Sequence, residues 1–182
     1  MNYKEKLEQF NSTPKYKEEL KLLLHLVDRF CQHSDSVLDF GCGLGTASKF
    51  IQDNCRKDIW VDGYDKTPYN EDFDYEETLL GYKCNAIYFM HSFAHIQFDD
   101  LDFLKNLLFD GKGIVIIITP NKDWIDSMKN ENYVPDPTVV RHYGATELQD
   151  LFIANGFEIK MQGQFGESKN GFNERLFLVA EI

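Results

Sequence analysis

The run GIVIIIT, from Gly113 to Thr119, constrains this chain more than any other segment. β-Branched side chains lose rotamer freedom in a helix and pack well on a pleated surface, so the run predicts a strand. A strand with one face in water would alternate apolar and polar residues, and this run is continuously apolar. Both of its faces must therefore be covered, as in the centre of a mostly parallel sheet with helices on each side.

The rest of the chain supplies the other elements of such a sheet. Thr13 and Pro14 form a cap and first-turn pair, and Leu20, Leu23, Leu24 and Val27 follow at helical spacing, which predicts one amphipathic helix ahead of everything else. Ser36 to Phe40 reads as a short buried strand, a glycine-rich turn follows, and Ala47, Phe50 and Ile51 mark the inner face of a second helix. Ile59 to Asp65 and Ala86 to His91 read as further strands, and Leu101, Leu104, Leu107 and Leu108 form a helical stripe behind Asp99 and Asp100. Thr146 with Gln149 has the spacing of a capping box, Leu148, Leu151 and Phe152 give that helix an apolar face, and Asn155-Gly156 stops it. Two alternating segments, Glu158 to Phe165 and Arg175 to Ile182, predict an antiparallel hairpin at the end. The class is α/β, a doubly wound sheet in which ligands bind at the carboxyl ends of the strands. We expect one domain over residues 1–182, with a helical cap over 1–35 and a polar insert over 121–145 that hangs above the site.

Composition narrows the partners. Thirty acidic against 19 basic residues give a formal charge of −11, a field that repels phosphate-rich partners, so nucleic acid is not expected. No apolar run reaches the roughly 18 residues that a membrane-spanning helix needs, and the charged start MNYKEKLEQF lacks a secretory signal, so a cytoplasmic protein without a membrane partner is expected. Cys31, Cys42, Cys55 and Cys84 stand apart without a CxxC pair, as reduced thiols rather than a zinc site or disulfide framework.

In VLDFGCGLGTASKF, glycines at 41, 43 and 45 follow a strand that carries Asp39 near its end. Residues without Cβ let the main chain turn sharply and approach a ligand, and the free amides of the next helix offer donors to a carboxylate or phosphate. A dinucleotide fingerprint would place its third glycine at position 46, where this chain has threonine, and would not put an acid at position 39.

These residues resemble the first motif of the Rossmann-like S-adenosylmethionine-dependent methyltransferases, an acid, one residue, then alternate glycines, here DFGCGLG. The resemblance runs from about Ser36 to the carboxyl terminus and takes in GYD, GIVIIIT and the closing strand pair. TPN after the central strand and RHYGATELQDLFIANGFEI resemble small-molecule methyltransferases related to the quinone-precursor O-methylation enzymes. It implies a seven-stranded type of sheet with an antiparallel carboxyl-terminal strand, and S-adenosylmethionine as cofactor. It places Asp39, Phe40, Gly41, Cys42, Gly43 and Gly45 at the methionine end, Asp65 with Lys66 at the ribose, and His91 beside the cofactor. Only 19 residues separate Asp65 from Asn85, too few for the helix and strand usual there, so the third-strand region is reduced and the adenine pocket unassigned. Asp72, Asp74, Glu76, Glu77, Tyr69, Phe73 and Tyr75 are available to line it, or to form a solvated acidic loop.

Methyl transfer from a sulfonium asks the protein to position two partners and, for a hydroxyl acceptor, to remove a proton. His91, closing a strand at the ligand-binding edge, and His142, in the insert, are the candidate bases, with His95 third and His25 and His33 structural. No histidine and carboxylate cluster has metal spacing. Trp124, Tyr133, Tyr143 and Tyr16 form either an aromatic wall for the acceptor or ordinary packing. The expected activity is methylation of a small-molecule acceptor, at oxygen, by a monomer or homodimer. N-methylation of an amine or amino sugar, a non-catalytic S-adenosylmethionine-binding module and a nicotinamide-dependent reductase are the alternatives.

Overall fold

The computed structural model describes residues 2–96, 101–128 and 138–182, and within them six strands form one sheet. These are β1 (Ser36–Phe40), β2 (Trp60–Tyr64), β3 (Ala86–Met90), β4 (Ile114–Pro120), β5 (Glu158–Lys169) and β6 (Phe172–Glu181), in the order β2-β1-β3-β4-β6-β5. The first four are parallel, and β6 runs antiparallel to both β4 and β5. The expected α/β architecture is the one observed, with six strands instead of seven. Between β2 and β3 the short spacer meets β2 at one parallel bridge, Gly63 to Tyr75, where a further strand would have stood.

Burial follows the argument made from GIVIIIT. Along β4, Val115 and Ile117 join one layer with Leu104, Leu148 and Phe152. Ile116 and Ile118 join the other, with Leu20, Leu23 and Ile51. The first layer is covered by α4 (Asp102–Leu107) and α6 (Ala145–Ala154), the second by α2 (Pro14–Phe30) and α3 (Thr46–Asn54). No helix among the described residues is long and apolar enough to cross a membrane.

Four local expectations need correction. Two helices precede the sheet, because α1 (Tyr3–Asn11) comes before α2 and is closed by its own capping box between Asn2 and Glu5. The last helix starts earlier than the Thr146–Gln149 pair suggested. Gly144 is its cap, and the Glu147 carboxylate, three residues on, accepts from the Gly144 amide at 3.4 Å. The stretch after the central strand opens with a helix, α5 (Lys122–Met128), and the leucine stripe gives only the six residues of α4. Asp99 and Asp100 lie outside the described residues.

The caps at Thr13 and at Asn155-Gly156 are as read from the sequence. Thr13 Oγ1 accepts from the Tyr16 amide at 3.2 Å, and Gly156 takes a left-handed φ of 84° past the Asn155 cap. Thr13→Ala should cost about 1 kcal/mol, the usual worth of such a cap, measured by urea unfolding.

This order places a topological switch at β1. The chain leaves β1 to β2 on one side and returns to β3 on the other, so the connections diverge at the carboxyl ends of β1 and β3, where sheets of this kind place their ligands. The glycine-rich turn follows β1, and His91 follows β3.

Candidate active site

Gly41, Gly43 and Gly45 all have positive φ, at 77°, 58° and 72°. The amides of Gly41 and Cys42 both donate to the Tyr64 carbonyl, at 2.7 and 3.1 Å, which pulls the turn over the end of β2. Asp65 then locks it. One carboxylate oxygen accepts from the Gly43 amide at 2.9 Å and the other from the Thr67 amide at 3.0 Å. The structure thus brings Asp65 to the turn, while Lys66 beside it is exposed. Phe40 contributes main chain alone. Its ring packs with Tyr64, Phe89 and Phe103 in the core, and its carbonyl accepts from Ser92 Oγ. Cys42 is buried, and burial, with Asp39 and Asp65 nearby, pushes its thiol above the usual range.

Asp39 is fully buried. Oδ2 accepts from Ser48 Oγ at 2.7 Å, whereas Oδ1 has no hydrogen-bond partner among the described residues. Burial pushes this carboxyl up to about 7, with Ser48 and Tyr88 nearby only partly offsetting that. An unpaired oxygen on a buried acid next to a glycine turn fits a ligand that brings a cationic donor, as the amino-acid end of S-adenosylmethionine does. The sign of the pH effect follows. The folded value lies above the roughly 3.9 of an unfolded aspartate, so the stabilising contribution is complete below about pH 4 and is lost as pH rises through about 7. Asp39→Asn should therefore flatten the fall in unfolding free energy between about pH 4 and pH 7, read by urea titration.

Sequence reasoning missed how residues 69–76 close on the turn. Tyr75 Oη donates to the Gly43 carbonyl at 2.6 Å and accepts from the amides of Tyr69 and Asn70, while Asn70 Nδ2 donates to the Leu44 carbonyl at 3.1 Å. Phe73 lies against Gly45 and Gly63, where a Cβ on Gly63 would stand 2.6 Å from its ring. Asp72, Asp74 and Glu76 instead line a cleft of about 430 Å³ against α3. On the other side α1 crosses the turn. Leu7 lies over Gly43, Asn11 Nδ2 donates to Thr46 Oγ1 at 2.9 Å, and Tyr3 packs on Tyr69 at 5.3 Å. The aromatic pair at 73 and 75 was the visible signal, but no periodicity told which way it faced.

His91, His95 and His142 lie at this edge in different settings. His91 has a φ of 65°, packs edge-on against Phe10 at 5.4 Å, and places Nε2 2.8 Å from Glu19 Oε2. Ser92 after it bonds to Phe40, which ties the end of β3 to the glycine turn. His95 Nδ1 meets Thr138 Oγ1 at 3.0 Å. His142 sits in a segment whose Val140 and Arg141 amides both donate to the Ala94 carbonyl, at 2.9 and 3.1 Å, beside the 3-10 turn Phe93–His95. His25 is exposed, and His33 accepts from the Asp58 amide. An aromatic wall is not assembled, since Tyr16 and Tyr143 lie in opposite core layers; Trp124 is buried in α5, and Tyr133 lies outside the described residues. Among the described residues no group of histidines, cysteines and acids is placed to hold a metal ion.

A family model described as a methyltransferase domain matches residues 13–162. The chain belongs to the methyltransferase-domain family. It is an enzyme of methyl transfer, with S-adenosylmethionine as its cofactor. Solved structures share the fold at low identity. A SAM-dependent methyltransferase from Aquifex aeolicus is 15% identical with a TM-score of 0.70 over 100% of both chains. A small RNA methyltransferase is 12% identical with a TM-score of 0.67, covering 91% of this chain and 25% of its own. Magnesium protoporphyrin IX methyltransferase from Synechocystis PCC 6803, solved with bound SAH, is 16% identical with a TM-score of 0.58, over 91% and 82%. Comparison with curated proteins gives no match.

Proposed function

We propose that this methyltransferase acts on a small-molecule acceptor, at oxygen, with His91 as the base. The observation that carries the reading is the glycine turn itself, pinned at the switch point by Asp65 and backed by a buried acid with an unpaired oxygen. The main chain of Gly41 to Gly45 and the Asp39 carboxylate would hold the amino-acid end of the cofactor. Asp65, with Lys66 beside it, would take the ribose hydroxyls, because one carboxylate accepts from both oxygens of a vicinal diol. S-adenosylmethionine supplies an electrophilic methyl group whose sulfur leaves with the bonding pair. What the chain adds is orientation and a proton acceptor, and His91 follows the strand next to the turn. His142, at the same edge, is the second candidate and would face the acceptor.

The formal charge of −11 favours a small acceptor over RNA, and the likeness of RHYGATELQDLFIANGFEI to quinone-precursor O-methylation enzymes favours oxygen. Free cysteines at 31, 42, 55 and 84 suit a reducing, cytoplasmic setting for a monomer or homodimer. In this reading α1 and α2 form the cap, and within the 121–145 insert the described residues 121–128 and 138–145 lie on the acceptor side of one domain.

Titration calorimetry with S-adenosylhomocysteine and with NADH tests the cofactor. Heat from the first alone is expected, and heat from NADH alone would overturn the assignment. Labelled methyl transfer to a set of phenols, amines and small RNAs then tests the acceptor. Incorporation into a phenol, lowered in His91→Gln with cofactor affinity kept, is the expected result. Transfer to RNA, or full transfer by both His91→Gln and His142→Gln, would sink base-assisted O-methylation.

A further inference from the structure

We infer that Glu19 is a positioning residue for His91, and that Arg175, from the other end of the chain, holds Glu19 in place. The inference rests on His91 being the proton acceptor. Glu19 is 1% exposed in the middle of α2, where a carboxylate has no reason to be unless paired. One of its oxygens lies 2.8 Å from His91 Nε2, and the other accepts from Arg175 Nε at 2.8 Å. Arg175, on β6, is itself held by Glu174, whose second oxygen pairs with Lys15 of α2. Helix α2, strand β6 and the residue that follows β3 thus meet in one chain of charges, buried except at Lys15.

Counting charge assigns the state of His91. Glu19 and Glu174 balance Arg175 and Lys15, so the cluster is neutral when the imidazole is neutral. Protonating His91 would put an unmatched positive charge among them. Burial holds the imidazole below its usual range and outweighs Glu19, with Arg175 and His95 pushing the same way as burial. Burial would push the Glu19 carboxyl up, but His91 and Arg175 outweigh it and keep it low, hence ionised. An ionised carboxylate opposite Nε2 requires a proton on Nε2, because two facing lone pairs repel. The lone pair is then on Nδ1, the atom left to take a proton from an acceptor hydroxyl as its oxygen bonds to the methyl carbon and the carbon–sulfur bond breaks toward sulfur.

Nitrogen NMR of the full chain labelled at histidine tests this, with His91 assigned from His91→Gln and spectra taken free and with S-adenosylhomocysteine. The wild type should show His91 protonated on Nε2 at neutral pH. Glu19→Gln removes the charge and keeps the shape, and should lower the His91 titration midpoint by about one pH unit or more, as loss of an adjacent opposite charge does. Glu19→Leu should abolish the preference for Nε2. If Glu19→Leu fails to fold, the Glu19→Gln midpoint decides alone. His91 protonated on Nδ1 in the wild type, or a midpoint unmoved in Glu19→Gln, would overturn the proposal. Absence of S-adenosylhomocysteine binding by the wild type would instead sink the reading of the site while leaving the free-protein spectra to judge Glu19.

Discussion

Gly41→Ala should cut S-adenosylhomocysteine affinity on the order of 100-fold and destabilise the fold by about 2 to 4 kcal/mol. Two effects combine at this position. Gly41 has a φ of 77°, where an L side chain costs roughly 1 kcal/mol or more. A Cβ there would also run into the Cβ and Oγ of Ser92, whose hydroxyl is already bonded to the Phe40 carbonyl. Forcing a methyl into such a contact costs about 1 to 3 kcal/mol, and a gap of some 2.7 kcal/mol in binding corresponds to the expected loss of affinity. Relief requires the turn or the end of β3 to shift, and both belong to the proposed cofactor site.

Gly81→Ala is the matched control. Its φ of 79° is equally left-handed, but nothing lies within 4 Å of a Cβ placed there. That variant should lose only the conformational part, about 1 kcal/mol, and keep its affinity. Chemical denaturation and calorimetry on the pair separate backbone strain from close approach. Equal losses of affinity in both would show that Ser92 has no part in shaping the turn.

The elements that positioned the turn were legible because their signals are local. GIVIIIT needed both faces covered, and DFGCGLG stood between a buried run and an apolar helical face, so strand, turn and helix followed from neighbours in sequence. Asp65 came from the resemblance carried by GYD, one helix and one strand after Gly41. What escaped depends on partners far away. Helix α1 buries no residue and carries a weak stripe, so its presence over the turn rests on contacts with Gly43, Thr46 and Tyr69. Tyr75 reaches a carbonyl 32 residues back, with no period to announce it. Glu19 sits in PKYKEELKLL, where it reads as one more solvated charge, and its burial is intelligible only with Arg175, 156 residues later. The carboxylate partner of His91 was not legible, since helical spacing gave no reason to turn Glu19 inward.

Arg175→Met should destabilise the protein by about 3 to 5 kcal/mol at pH 7, the usual result of removing one member of a buried ionic group. Arg175 is 9% exposed and Glu19 1%, so the charge left on Glu19 cannot reach water, and methionine fills space without answering it. Combining Arg175→Met with Glu19→Gln should recover a substantial part of the loss, because the stranded charge goes with its partner. The non-additivity of the pair, of order 0.5 to 3 kcal/mol for directly bonded residues, measures their coupling in urea unfolding. Acid gives an independent check. In the wild type the Glu19 carboxyl lies below its usual value, so its contribution is present above roughly pH 4.3 and is lost as pH falls through the folded value. Without Arg175 one cause of that lowering is gone and the folded value rises, so protonation relieves the variant sooner than the wild type. The stability gap should narrow from pH 7 toward pH 4. A gap constant across that range would mean that the loss comes from packing around the long arginine stem and not from the charge it answers.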